Sequence, residues 1–444
     1  MTATRGWATG VGHTPDVRDD SGVTHILDEL RWRGLIAQST DQDALRGALD
    51  AGPLTYYCGF DPTAPSLHVG NLVQILTLRR LQQAGHRPLA LVGGATGLIG
   101  DPKPTAERQL NDPEVVRGWV ARIRGQIEPY LAFDGPNAAM TVNNLDWTEP
   151  LSVISFLRDV GKHFRVNRML AKEAVAARLQ SDTGISFTEF SYQILQGMDF
   201  LELYRRYGCR LQTGGSDQWG NLTAGTELVR KAEGVTVHAF ATPLVTKADG
   251  TKFGKTESGT LWLDPLMTSP YAFYQFWMNA DDRDVVGYLK VFSFRSREEI
   301  EQLERAVAER PAGREAQRAL AEELTSMVHG PDECARVVAA SRALFGRGDL
   351  AGLHPDTLAA ALAEAGMVTV EGQELPPVVT LLRDAGLSAS LSEARRAVNE
   401  GGAYLNNVKV TTPDAVPAPT DLLHGRWLVL RRGKRTFAGV EVRP

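Results

Sequence analysis

The 444-residue chain predicts an α/β fold: a doubly wound parallel sheet with a helical insertion, then an all-α domain and a small α+β domain. Three observations carry this. From about residue 54 to 265, short apolar runs ending in Gly alternate with amphipathic stretches, the pattern of buried parallel strands and their crossover helices. After Pro265 the chain becomes Ala-rich and charged with few strand signals, as in "SREEIEQLERAVAERPAGREAQRALAEELTSMVHG". From about residue 377, two helical stretches are followed by several short strands.

Each element follows in order. Residues 1–22 hold no apolar segment and carry Asp16, Asp19 and Asp20, which argues against a signal or transit peptide and predicts a disordered leader. "VTHILDELRWRGLI" is an amphipathic helix. "LTYYCGF" is the first strand. "SLHVGNLVQILTLRRLQQAGH" is a helix with Leu72, Ile75, Leu76 and Leu78 at helical spacing, with Ser66 as its expected N-cap. "RPLALVGG", "AAMTVNNLDW" and "CRLQTGG" supply three more strands. A helical insertion, 150–208, separates the last two. The predicted limits are a leader over 1–22, a catalytic domain over 23–265, a helical domain over 266–370 and a C-terminal domain over 377–444, with "VEGQELPPV" as a linker.

Composition narrows the function. The net charge of −5 excludes a uniformly basic nucleic-acid binder. The charge is unevenly spread: residues 381–444 carry ten Lys and Arg against six Asp and Glu, a net +4 that leaves −9 for the remainder. A basic tail on an acidic chain implies an anionic partner. Cys58, Cys209 and Cys334 have no zinc or disulfide spacing, which points to a reducing cytoplasm. No apolar run reaches the roughly 18 residues of a membrane helix.

In open parallel sheets, ligands bind at the carboxyl ends of the strands. Those ends here are "CGFDPT", "VGGATGLIGDP" and "TGGSDQWGN", all rich in Gly and small polar residues. In "FDPTAPSLHVGN", His68 and Asn71 share a face on the first turn of a helix, with Gly70 between them. Residue types alone leave two readings open there, a capped turn and a phosphate site. The glycines at 93, 94, 97 and 100 do not match a dinucleotide fingerprint, and Asp101 is open between a turn residue and a ligand for an amine. "TKADGTKFGKTESG" reads as an exposed hairpin with Asp249-Gly250 at its turn, or as a mobile loop whose Lys252 and Lys255 close over a triphosphate. Tyr192, Gln196 and Asp199 fall on one helical face, open between a solvated stripe and the lining of a polar pocket.

Taken together, "HVGN" (68–71), "KFGKT" (252–256), "GGSDQWGN" (214–221), "SYQILQGMDF" (191–200) and the tail "SLSEARRAVNEGGAYLNNVKV" (390–410) resemble the bacterial tyrosyl-tRNA synthetases, class I aminoacyl-tRNA synthetases, over about 24–444. The resemblance implies a Rossmann-like catalytic domain and an S4-like RNA-binding tail. It implies ATP-dependent activation of L-tyrosine, with pyrophosphate release, and transfer to the 3′ end of tRNA(Tyr). ATP would be a substrate arriving with Mg²⁺, with no tightly bound cofactor and no metal site. By the motif match, Thr63 and His68 would contact the leaving pyrophosphate, and Lys252, Lys255 and Thr256 would close over it. Asp61 and Asp217 would hold substrate and ribose hydroxyls, with Cys58, Gly59, Gly70 and Gly215 lining the nucleotide site. Tyr57 and Asp199 would take the phenol hydroxyl; Tyr192, Gln196 and Asp101 the α-ammonium; Gln218 the carboxylate. Arg108 would lie over the phosphates or the acceptor end. Arg165, Asn167, Arg168 and Lys172 fit an acceptor-arm surface on the insertion, which would also carry a homodimer interface, and Arg395, Arg396 and Lys409 would meet tRNA in the tail. Two residues depart from the general signatures. Asn71 stands where a second His is usual, and Phe253-Gly254 replaces Met-Ser between the lysines. A non-catalytic RNA-binding paralogue and a synthetase for another aromatic amino acid are the alternatives; the retained lysines and the Tyr57/Asp199 pair argue against both.

Overall fold

Six strands form the central sheet of this computed structural model, which describes residues 24–103, 107–182, 184–251, 253–256, 259–346, 348–372, 374–433 and 436–443. The predicted leader and Lys252 lie outside the described residues. The strands are β1 (Gln38–Ser39), β2 (Thr55–Phe60), β3 (Arg87–Val92), β4 (Met140–Asn143), β5 (Leu211–Gly215) and β6 (His238–Thr242), in spatial order β1-β6-β5-β2-β3-β4. All pairs are parallel except β1 with β6. The chain runs outward from β2 through β3 to β4, then returns to lay β5 and β6 on the other side of β2. The crevice at the carboxyl ends of β2 and β5 is therefore the switch point where such sheets bind ligands. β1 and β6 were not among the four strands expected from the sequence.

β2 and β3 are apolar on both faces because helices cover both. The helix Val69–Gln83 buries Leu72, Val73, Ile75, Leu76, Leu78 and Leu81 against the sheet. Each such burial is worth about 1.5–3 kcal/mol, so this helix is held by packing far more than by propensity. The insertion contributes short helices at Val166–Leu170 and Glu173–Leu179 and the long helix Phe187–Tyr207, capped by Ser186 and stopped by left-handed Gly208. It exposes Val153, Ile154, Leu157, Val166 and Phe187. After β6 a small antiparallel pair, β7 (Lys255–Thr256) and β8 (Gly259–Thr260), precedes the helical region.

Helices Pro270–Met278, Val285–Phe292, Arg297–Glu309, Glu315–His329, Pro331–Leu344 and Pro355–Ala365 follow, packed around an aromatic centre that includes Phe273, Trp277 and Phe292. Beyond them come β9 (Met367–Glu371), helices Val378–Asp384 and Leu391–Asn399, and the strands β10 (Ala403–Leu405), β11 (Val408–Lys409), β12 (Trp427–Arg432) and β13 (Thr436–Arg443). One strand corrects the sequence reading. β9 pairs in parallel with β13, so Val370 and Glu371, expected in a linker, are sheet residues. Asn407 Nδ2 donates to the Ala343 carbonyl at 2.7 Å and Phe345 meets Phe437 edge-on, joining tail and helices. Among the described residues no helix is long and apolar enough to cross a membrane.

Candidate active site

The cleft begins where β2 turns into the helix Val69–Gln83. His68, not Ser66, is the N-cap. Its Nδ1 accepts from Gly70 N at 3.0 Å while Asn71 Oδ1 accepts from His68 N at 3.1 Å, a reciprocal capping box. Ser66 Oγ instead accepts from Asp264 N at 3.2 Å and donates to the Leu67 carbonyl at 2.7 Å. Asn71 thus has a structural reason to be there: its carbonyl oxygen completes the cap. Burial lowers the His68 pKa, so the ring is neutral at pH 7. Thr63 and Gly70 are exposed at this helix N-terminus, whose free N–H groups and dipole favour an anion.

Deeper in, Asp61 accepts from Tyr192 Oη at 2.6 Å and Thr96 Oγ1 at 2.7 Å. Burial pushes its pKa up, partly offset by these two donors. A Cβ at Gly93 would stand 2.1 Å from Asp61 Oδ1 and 2.2 Å from Thr96 Oγ1, which explains a glycine at the end of β3. Tyr192, expected at the amine site with Asp101 and Gln196, donates its hydroxyl proton to Asp61, and its oxygen can still accept from an ammonium.

At the bottom of the cleft lie Tyr57 and Asp199, both at most 1 % exposed. The Tyr192–Gln196–Asp199 face of the helix Phe187–Tyr207 therefore points inward and is not a solvated stripe. Asp199 accepts from Asn144 Nδ2 at 3.0 Å and Trp147 Nε1 at 2.9 Å. Burial nonetheless raises its pKa to about 8. The Tyr57 ring packs edge-on against Phe200 at 5.3 Å, and its hydroxyl is buried without a hydrogen-bond partner among the described residues. A buried phenol beside a carboxyl, with an unused hydroxyl, is built to pair with another polar group. Asn144 and Trp147 were missed by sequence reasoning. They follow β4 in "NNLDW", a strand end that the strand-end rule could have added to the other three.

Asp101 is engaged at both oxygens. Lys172 Nζ lies 3.2 Å from Oδ1, and Gln218 Nε2 donates to Oδ2 at 3.0 Å. Asn221 Nδ2 donates to Gln218 Oε1 at 2.8 Å, and Asn221 Oδ1 accepts from Lys172 at the same distance. Asn221 lies within "GGSDQWGN" but was not singled out. Lys172, expected on an acceptor-arm surface, lines a groove with Arg165 and Arg168 while its side chain, 12 % exposed, reaches Asp101 in the cleft. Gln196 Oε1 is buried without a partner among the described residues. Asp217 and Gly59 are exposed at the rim and Gly215 is half-buried. Cys58 is buried in the core against Gln74 with its thiol pushed up to about 12, so it is a neutral thiol.

The lysine loop crosses the front. Its tip is the expected Asp249-Gly250 turn, closed by Gly250 N donating to the Lys247 carbonyl at 2.9 Å. After this turn, β7 pairs with β8 as a separate short antiparallel pair. Gly254 takes φ +72°, and a Cβ there would stand 2.6 Å from Val69 Cγ1. Leu261 links the two signatures through backbone bonds, accepting from Val69 N and donating to the Gly254 carbonyl. Phe253 inserts among Phe276, Trp277, Tyr288 and Phe292, with ring centroids 5.0–5.9 Å away. The departure from Met-Ser therefore has a packing reason on both sides.

Arg108 Nε donates to the Asp101 carbonyl, and its own N–H donates to Glu189, which forms a buried ion pair with Arg178. Arg165 and Arg168 are exposed on the insertion, with Arg168 on Glu227 at 2.8 Å. Arg395, Arg396 and Lys409 are exposed on the tail.

Comparisons with known proteins identify the family. The family described as tRNA synthetases class I (W and Y) matches residues 49–346, and a tyrosine–tRNA ligase SYY-like C-terminal domain matches 358–440. The tyrosine–tRNA ligase of Streptomyces coelicolor is 70 % identical over 421 residues, 95 % of this chain and 99 % of that protein. That of Acidothermus cellulolyticus is 67 % identical over 423 residues, covering 94 % and 99 %. The structure of a C-terminally truncated mitochondrial tyrosyl-tRNA synthetase from Aspergillus nidulans superposes with a TM-score of 0.66 at 30 % identity, over 72 % of this chain and 94 % of that one. The chain belongs to the tyrosine–tRNA ligase family of class I tRNA synthetases.

Proposed function

We propose that the chain activates L-tyrosine with ATP and transfers it to tRNA(Tyr) in the cytoplasm. The observation that carries this is the buried Tyr57/Asp199 pair: the Tyr57 hydroxyl has no partner among the described residues and stands beside a carboxyl, an arrangement that matches a substrate hydroxyl and that phenylalanine could not satisfy. The tyrosine carboxylate attacks the α-phosphorus of ATP in line, the bond to the β-phosphate oxygen breaks, and pyrophosphate leaves with its Mg²⁺. A terminal ribose hydroxyl of the tRNA then attacks the carbonyl carbon and AMP departs. Positioning and charge stabilisation do this work more than a strong base. His68 and Thr63 at the helix N-terminus receive the pyrophosphate charge, with Lys252, Lys255 and Thr256 closing from the other side. Asp101, Tyr192 and Gln196 hold the amine, Gln218 the carboxylate, and Asp217 the ribose. No cofactor is bound tightly.

The large apolar side chains left exposed on the insertion support a homodimer through that segment, since burying them against a second copy would remove them from water. Sedimentation of a Phe187→Asp variant as a dimer would reject it. The basic tail supports salt-dependent tRNA binding. The reaction is tested by ATP–pyrophosphate exchange with tyrosine, phenylalanine and tryptophan. Exchange with tyrosine alone is expected, and its absence in pure protein would reject the assignment.

A further inference from the structure

Lys172 joins two features that the reaction reading treats separately. Its ammonium pairs with Asp101 Oδ1 at 3.2 Å and with Asn221 Oδ1 at 2.8 Å, inside the cleft. Its stem crosses Gly220, where a Cβ would still find Lys172 Cγ at 3.8 Å, and it lines a groove of about 330 Å³ on the insertion side. That groove also carries Arg165, Arg168, Lys231 and Glu227. Glu227 is shared by Arg168 at 2.8 Å and Lys231 at 2.9 Å, so one carboxylate answers several cations. A small, under-compensated cationic groove fits a phosphate diester, and charge-assisted contacts of this kind are the strong ones.

We propose that Lys172 is a positioning residue that exchanges between two anions: Asp101 in the amino-acid site and a backbone phosphate of the RNA acceptor end in the groove. This deepens the reading above and rests on it, because it takes Asp101 as the carboxylate for the substrate α-ammonium. One carboxylate then serves two ammonium groups. Both oxygens of Asp101 are already engaged, and two ammonium groups on one carboxylate repel each other, so the amine of tyrosine competes with Lys172 for Oδ1. Lys172 sits at the start of the helix Glu173–Leu179 on a chain segment with no side-chain cap bond of its own, so the side chain can swing without breaking a helix terminus. Released, it adds its charge to the groove beside Arg165 and Arg168. Amino-acid binding and acceptor-end binding are thereby linked, and the link is reciprocal.

The test uses Lys172→Met, which keeps the stem and removes the charge, with Lys172→Arg as the conservative control. In tyrosine-dependent pyrophosphate exchange without tRNA, Lys172→Met is expected to lower KM for tyrosine at least threefold, with kcat within twofold of wild type. In aminoacylation it is expected to raise KM for tRNA at least fivefold. A tyrosine analogue lacking the amine, 3-(4-hydroxyphenyl)propionate, separates this from a structural defect. It binds the parent protein with Lys172 still on Asp101, so Lys172→Met should weaken it while strengthening tyrosine. Lys172→Arg should restore the tRNA KM. An unchanged or raised KM for tyrosine, or parallel weakening of tyrosine and the analogue, would overturn the exchange. Failure of the parent protein itself to show tyrosine-dependent exchange would instead reject the reaction reading, so the two failures are distinct.

Discussion

At its inner end the cleft is a closed piece of core: Tyr57 on β2, Asp199 on a 21-residue helix, and Asn144 and Trp147 holding the carboxyl by two hydrogen bonds. At its outer end it is made of termini and loops: a helix N-cap, a glycine-rich strand end, and a lysine hairpin that touches the rest through Gly254 and Phe253. In the proposed reaction the inner end would hold a group that does not react, so it can be rigid before anything binds. The outer end would meet charge that moves during that reaction, so donors on elements that can shift while their anchors stay fixed suit it. Selectivity and turnover should therefore be separable by mutation.

The largest effect is expected from breaking the inner end. Asp199→Ala removes the carboxyl proposed to pair with the phenol, a buried hydrogen bond worth about 3 kcal/mol, so kcat/KM for tyrosine should fall ~10²-fold or more. Far-UV circular dichroism should remain that of the folded protein. The same carboxyl has a second signature. Burial raises its pKa to about 8, while in the unfolded chain it titrates near the ordinary aspartate value of 3.8. Below pH 4 both states hold the proton and there is no penalty. Between about pH 4 and 8 the unfolded chain has released it and the folded chain has not, so stability falls as pH rises. Urea midpoints measured at pH 5 and pH 8 should drop in the parent protein and drop less in Asp199→Asn.

Phe253→Ala probes the outer anchor. Removing the ring from its four aromatic neighbours frees the lysine hairpin without touching Tyr57 or Asp199. Exchange should lose about 30-fold in kcat/KM for ATP, on the scale of a partly buried aromatic contact, with KM for tyrosine within twofold. Phe253→Met should recover most of the loss. An equal loss for both substrates would mean the two ends are mechanically one unit.

The same contrast separates what the sequence disclosed from what it did not. β2, β3 and β5 were readable because parallel strands buried on both faces are plain apolar runs, and their Gly-rich ends located the cleft. β9 was not, because its partner β13 lies at the far end of the tail and its alternating "MVTVE" sits beside Gly and Pro. β1 is two residues long and carries no pattern at all. Tyr57 and Asp199 stood out through a family motif, whereas Asn144 and Trp147 matter only through contacts made 55 and 52 residues away. Local preference also misled: Ser is a favoured N-cap, yet the cap is a histidine ring nitrogen, because Ser66 is drawn off to Asp264 N and the Leu67 carbonyl.

The smallest expected effect concerns Asn71, where capping and phosphate binding coincide. Its Oδ1 accepts from His68 N, and its Nδ2 is a donor with no hydrogen-bond partner among the described residues. Asn71→Asp keeps the acceptor that completes the capping box and adds a negative charge that a helix N-terminus tolerates well. It removes the donor and places that charge where a phosphate would come. Asn71→Ala removes acceptor and donor together. If Asn71 serves both roles, Asn71→Ala should lower stability by about 1 kcal/mol, while Asn71→Asp should not. Asn71→Asp should lower kcat/KM for ATP up to about tenfold, the worth of one lost hydrogen bond plus local repulsion, with KM for tyrosine unchanged. Parent-level ATP kinetics in Asn71→Asp would leave Asn71 a cap alone and assign the anion to His68, Thr63 and the bare N–H groups of the first turn.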